Sequence, residues 1–136
     1  MLRTTSQGQE DFRALDASIL EQLTDEERAK SVVYLDAQLR PPGASRIGEH
    51  EHQYEAPCLA AFIDPQPGDN WMHPCRYLLI DPATGKITSI PCDRPPVFGP
   101  LPPTWRVVWR SRGIDDWRLL PISASSPQET QKEENR

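Results

Sequence analysis

The chain has 136 residues, of which 37% are hydrophobic, and carries a formal net charge of −5. This length fits one domain, and the acidic balance argues against a nucleic-acid partner, because binding to a phosphate backbone needs a clustered positive field. No apolar run approaches the roughly 18 residues of a membrane-spanning helix, and residues 1–9 lack the apolar core of a secretory signal, so we predict a cytoplasmic protein without a membrane partner.

The N-terminal part of the chain predicts two helices. Apolar residues recur at helical spacing after Glu10 and indicate a first amphipathic helix that packs on the rest of the fold or, alternatively, inserts into a partner. Thr24 and Glu27 then match a capping box, which predicts a second helix from Asp25. The helical prediction extends to residue 40, although the β-branched run at residues 31–35 also fits a strand.

After a linker at residues 40–48 the composition becomes that of β-strands. Three apolar runs, YEAPCLAAFID, CRYLLID and KITSI, are bounded by turn residues. The intervening DPATGK predicts a hairpin, with Pro82 early in the turn and Gly85 at a position of positive φ. The Pro-rich residues 91–103 cannot pair regularly, so we expect them to cross the surface in an extended form. Residues 104–122 predict a second hairpin, with its loop at Gly113.

The order of these elements predicts an α+β fold. Two N-terminal helices are expected to pack on a mainly antiparallel sheet of about five strands. The single domain spans residues 10–122 and is helical over 10–40 and β-rich over 49–122. Residues 1–9 and 123–136 are polar and without period, which predicts a disordered arm and a disordered tail.

The three histidines fall close together in the sequence. His50 and His52 project to the same side of an extended segment, and His73 or the thiolate of Cys58 or Cys75 would complete a tetrahedral zinc site. Because an H-x-H pattern often occurs by chance, a solvated edge strand is the favoured interpretation. We therefore predict no cofactor, with zinc as the alternative.

The three cysteines do not indicate a disulfide framework, because they are odd in number and each fits a small buried side chain. His73-Pro74-Cys75 suggests a base beside a thiol, and His73 and Cys75 are the candidate catalytic residues. However, Pro74 favours extended geometry, which places the two side chains about 6 to 7 Å apart. The favoured interpretation makes Cys75 the first core residue of a strand.

The last predicted hairpin combines arginine with tryptophan. We expect the arginines on one open face and the tryptophans packed inward, which would suit an acidic protein partner; a merely solvated face is the alternative. The arginines are Arg106, Arg110 and Arg118, and the tryptophans are Trp105, Trp109 and Trp117. In the loop at residues 64–73, Trp71 and His73 are candidates for recognition, although Trp71 also fits a plug at the end of the core.

These patterns favour a non-enzymatic protein-binding or accessory protein. Its predicted surface comprises the loop at 64–73, the Pro-rich segment at 91–103 and the arginines of the last hairpin. The predicted binding residues are Trp71, His73, Arg106, Arg110 and Arg118. The alternative is a small metal- or thiol-dependent enzyme centred on His50, His52, His73 and Cys75.

Overall fold

The computed structural model describes residues 13–47 and 50–124. Helix α1 covers 13–21 and helix α2 covers Asp25–Lys30. The strands in these ranges are β1 Val32–Arg40, β2 Gly43–Ile47, β3 His50–Tyr54, β4 Cys58–Asp64, β5 Cys75–Ile80, β6 Ile87–Cys92 and β7 Trp105–Arg110. A 3₁₀-helix follows at Asp116–Arg118. None of the described helices has the length and apolar character needed to traverse a lipid bilayer.

The centre of the fold is an antiparallel sheet with the strand order β6-β5-β4-β1-β7. Strands β4, β5 and β6 follow one another as a meander, whereas β1 and β7 are brought in from distant parts of the chain. Strands β2 and β3 pair as a separate two-stranded hairpin between β1 and β4. The predicted α+β class with a mainly antiparallel sheet is confirmed.

One face of the sheet packs against the N-terminal helices. Ile19 of α1 and Leu23 are buried among sheet residues that include Val33 and Ile63. A second contact ties α2 to β5, because the guanidinium of Arg76 on β5 binds Glu27 of α2 through two hydrogen bonds. The apolar stripe of α1 thus lies against the sheet.

The opposite face is closed by two irregular segments, the Pro-rich residues 93–104 and residues 111–122. Leu101 is completely buried in this layer, and its backbone pairs with Pro121 and Ser123. The backbone N–H of Leu120 donates to the hydroxyl of Tyr34, and burial raises the pKa of that phenol to about 12. The Pro-rich segment therefore supplies core as well as crossing the surface. The expectation that residues 91–103 cannot pair is wrong at the start of this range, because Pro91 and Cys92 end β6 and pair with β5. The predicted arm at 1–9 and the tail beyond residue 124 lie outside the described residues.

The predicted helical region is wrong beyond Lys30, because α2 ends there and β1 begins at Val32. The capping box is confirmed, since Thr24 Oγ1 accepts from the N–H of Glu27 and Glu27 Oε1 accepts from the N–H of Thr24. Val32 to Leu35 are completely buried, and successive residues face opposite layers of the core. A central strand covered on both faces needs such a continuous apolar run, which a pattern search cannot separate from a buried helix.

The structure corrects two further expectations, the linker and the second hairpin, and confirms the hairpin at DPATGK. The linker at residues 40–48 contains β2, whose Gly43 has a φ of +114° and pairs with Tyr54. The DPATGK hairpin is confirmed, with Gly85 at a φ of +80°. The second hairpin is wrong in its returning arm, because the chain after Gly113 forms a 3₁₀-helix and β7 pairs with β1 instead. Pro121 lacks the N–H that a strand would need there.

Candidate functional site

The loop that joins β4 to β5 is anchored by His73. Its Nε2 lies 2.7 Å from Asp64 Oδ1 at the end of β4, and its Nδ1 faces the carbonyl oxygen of Asn70. Its backbone N–H donates to the carbonyl of Asp93 at 2.9 Å. The His73 and Asp64 side chains are only 8% and 3% exposed. The structure thus places this candidate binding and catalytic residue inside the protein, with both ring nitrogens beside acceptors of the loop.

An exposed group of large side chains lies outside this anchor. The Trp71 and Phe98 rings meet edge to face with centroids 5.5 Å apart, and the Arg94 guanidinium lies 5.8 Å from the Trp71 ring centroid. Trp71 is 39% exposed, Met72 51% and Phe98 90%. We call Trp71, Met72, Arg94 and Phe98 the aromatic patch. It joins the predicted recognition loop to the predicted Pro-rich segment.

A second aromatic residue borders the same loop on its other side. Arg118 Nε donates to the carbonyl of Pro67 at 2.9 Å. Gly68 has a φ of +80°, and a Cβ placed there would lie 2.8 Å from Arg118 Cγ and 3.2 Å from the Trp117 ring. Only glycine permits this close approach. Trp117 is 73% exposed, so the loop carries accessible aromatic surface on both sides.

The predicted arginine face does not form. Arg106 binds the carboxylate of Asp16 in α1, whereas Arg110 donates to the carbonyl of Ile114 and pairs with Asp116. Arg118 points to the loop between β4 and β5, as described above. The three guanidinium groups therefore serve three different contacts, and the idea of one shared basic face is wrong.

Arg118 lies in the 3₁₀-helix, and Arg106 and Arg110 are separated by an irregularity in the pairing of β7 with β1. Val33 pairs with Trp109, but the next residue, Tyr34, pairs with Val107. The residue left over on β7 shifts the alternation of side chains by one position. Trp105 consequently packs in the layer with the Pro-rich segment, whereas Trp109 packs in the layer with the helices. Of the three tryptophans expected inside, Trp105 is buried, Trp109 is half-buried and Trp117 is exposed.

The structure does not bring His52 and His73 together. His52 lines a cavity that also includes Cys58, at the start of β4, whereas His73 binds Asp64, at its end. Six residue steps along a strand span about 20 Å. Within residues 13–47 and 50–124, no group of three or more His, Cys, Asp or Glu residues is placed to hold a metal ion. The side chain of His50 lies outside the description, and the zinc site stays a prediction.

The candidate nucleophile Cys75 has a cysteine as its neighbour. Cys75 on β5 lies directly opposite Cys92 on β6, and the two Sγ atoms are 2.9 Å apart. Both thiols are free, as is that of Cys58. This pair was not predicted, although the sequence contains a signal for it. The two cysteines lie equally far from the ends of the predicted turn, Asp81 to Lys86, and a regular hairpin places such residues opposite each other.

Phe98 and Arg94 were also missed by the analysis of the sequence. Phe98 stands between Val97 and Gly99 in a segment where regular pairing is impossible, so no pattern assigned it a face. Its only signal was an aromatic residue surrounded by proline and glycine. No protein-family model matches the chain, and comparisons with curated proteins and with solved structures found no match.

Proposed function

We propose that this chain is a non-enzymatic binding or accessory protein that recognises another protein through the aromatic patch. The observation that carries the proposal is the 90% exposure of Phe98 on top of Trp71. Complete burial of such a ring contributes roughly 1.5 to 3 kcal/mol, and the folded chain leaves this contribution almost unused. Large exposed apolar patches are typical of protein interaction sites.

The backbone below the patch supports this proposal because it is held on several sides. Asp64 and His73 fix the two ends of the loop, and Arg118 binds its middle at Pro67. A surface that is already ordered loses less conformational entropy when a partner binds. The anchor therefore favours binding even though the imidazole itself is covered.

The chemistry of the patch suggests what the partner offers. Aromatic residues, Met and Arg are the side chains enriched at the centres of protein interfaces. The matching surface is an apolar cleft that accepts Phe98 and Trp71. The predicted acidic partner receives less support than the apolar cleft, because Arg94, Arg106 and Arg110 each already bind a carboxylate of this chain, namely Asp93, Asp16 and Asp116.

The variant Phe98→Ser tests the proposal. Because the side chain is 90% exposed, the variant should fold with an unchanged melting temperature. In quantitative affinity capture from a lysate, proteins bound by the wild type should be recovered at least about tenfold less by the variant. The dissociation constant of the best captured protein, measured with both purified chains, should rise by a similar factor.

Leu39→Ser provides the matched control. Leu39 is an exposed apolar residue, 48% accessible, near the end of β1 that pairs with Cys58 and thus at the far end of β4 from Asp64. It should bind the same proteins as the wild type. Equal recovery of every captured protein by Phe98→Ser and Leu39→Ser would contradict the assignment of binding to the patch.

A further inference from the structure

Cys75 and Cys92 have the geometry from which a disulfide can form. Their Cα atoms are direct partners in the antiparallel pairing of β5 with β6, and their sulfur atoms are 2.9 Å apart. Directly opposite residues in such a pair have Cα atoms about 4.5 to 5.5 Å apart, within the roughly 4.4 to 6.8 Å that disulfides span. The sulfur atoms need to approach by only about 0.9 Å to reach bonding distance.

The two thiols differ in accessibility and in acidity. Cys75 is 8% exposed, whereas Cys92 lies on the edge strand β6 and is half-buried. The two sulfur atoms share a hydrogen bond in which either thiol can donate. This bond raises the pKa of Cys75 and lowers that of Cys92, and burial raises the pKa of Cys75 further. Cys92 is thus the better nucleophile, and Cys75 is the resolving cysteine, which attacks the mixed disulfide formed on Cys92.

We propose that Cys75 and Cys92 form a thiol–disulfide exchange site that reacts with low-molecular-weight disulfides, such as oxidised glutathione, and closes to a reversible cross-strand disulfide. The Cys92 thiolate attacks one sulfur of oxidised glutathione, which breaks its S–S bond and releases one glutathione thiolate. The Cys75 thiol then loses its proton to that thiolate and attacks the Cys92 sulfur of the mixed disulfide. A second glutathione thiolate leaves and takes up the proton from Cys92. The protein loses two electrons, and one oxidised glutathione becomes two reduced molecules.

Cys58 offers an internal comparison for this reaction. It is 6% exposed at the start of β4, and burial raises its pKa. The residue opposite it on the neighbouring strand β1 is Arg40, not a cysteine. A thiol of this kind contains little thiolate and has no resolving cysteine opposite it, so Cys58 should remain reduced.

The test uses the full-length reduced protein treated with oxidised glutathione, quenched with acid and alkylated. The wild type should lose two of its three alkylatable thiols, and peptide mapping should show Cys75 linked to Cys92 within one chain. Reduced glutathione in excess should restore both thiols. In alkylation without oxidant, Cys92 should react at least about tenfold faster than Cys58.

Serine variants distinguish the roles of the two sulfurs. Cys75→Ser should stop at a stable mixed disulfide on Cys92, Cys92→Ser should keep Cys75 alkylatable, and the matched control Cys58→Ser should close the disulfide like the wild type. Three free thiols in the treated wild type, or a disulfide that contains Cys58 or joins two chains, would overturn the proposal. The peptide map of the wild type decides the matter even where a variant does not fold.

Discussion

Replacement of His73 by alanine should lower the free energy of unfolding by about 3 kcal/mol, because the buried Asp64 carboxylate then loses its hydrogen-bond partner, the imidazole Nε2. The Asp64 side chain is 3% exposed and 2.7 Å from the imidazole. Within the described residues, the only other donor to its Oδ1 is the backbone N–H of Gln66, at 3.0 Å. A single neutral donor does not offset the cost of a charge that water cannot reach.

Urea denaturation of the wild type and of His73→Ala measures this effect. Asn70→Ala is the matched control, since Asn70 binds the imidazole only through its backbone carbonyl, which alanine retains. The control should unfold within about 0.5 kcal/mol of the wild type. The double variant Asp64→Ala/His73→Ala should be less destabilised than the sum of the single variants by about 1 to 3 kcal/mol. Strict additivity would show that the two side chains do not depend on each other.

The same variant connects stability with the proposed binding function. Without the imidazole, the loop loses the side-chain contact between the residue at position 73 and Asp64 at the end of β4, and keeps the backbone hydrogen bond from position 73 to Asp93. We therefore expect His73→Ala to weaken partner capture as well, although His73 itself is covered. Unchanged capture by a loosened loop would show that the order of the loop contributes nothing to recognition.

Replacement of Arg76 by alanine should cost about 2 to 3 kcal/mol of stability, the range for charged hydrogen bonds that are largely shielded from water. Arg76 donates to both carboxylate oxygens of Glu27, at 2.9 and 2.8 Å, and also to the carbonyl of Gln22 and the hydroxyl of Ser89. Its side chain is 22% exposed and that of Glu27 17%. One guanidinium thereby joins the capping box of α2 to two strands of the sheet.

The control for Arg76→Ala is an ion pair on the same helix that faces water. Lys30 and Glu26 are 46% and 78% exposed, and their Nζ–Oε2 distance is 3.2 Å. Lys30→Ala should change the stability by no more than about 0.5 kcal/mol in urea denaturation. Similar losses for the two variants would contradict a special role for the shielded pair.

The contribution of Arg76 should also depend on pH. Its hydrogen bonds hold the pKa of Glu27 below the ordinary value of 4.5. A carboxyl whose pKa is lower in the folded than in the unfolded state stabilises the fold above the unfolded value, and this stabilisation is lost as the pH falls through the folded value. The stability difference between the wild type and Arg76→Ala should therefore be full at neutral pH and smaller at about pH 3.

The predictions that the structure confirms concern residues that lie close together in the chain. The Thr24–Glu27 capping box and the Gly85 turn involve residues at most a few positions apart, and both were predicted correctly. In contrast, the helix predicted over Val32–Leu35 was wrong because a run of β-branched residues fits two structures until its neighbours are known. The arginine face failed for a related reason, since one extra residue in β7 shifts the alternation between Arg106 and Arg110, and Arg118 lies in a 3₁₀-helix instead of a strand.

By itself, the sequence determined the class of the fold and the local signals within it: an α+β order, a capped helix and a hairpin at DPATGK. These depend on backbone preferences that act over a few residues. Only the tertiary structure decided that His73 is an anchor, that Phe98 stands on Trp71 and that Cys92 lies against Cys75. The first two contacts join segments whose relative position depends on the packing of the whole fold, which no local pattern encodes. The cysteine pair follows from the register of the predicted hairpin, but its sulfur contact is seen only in the folded chain.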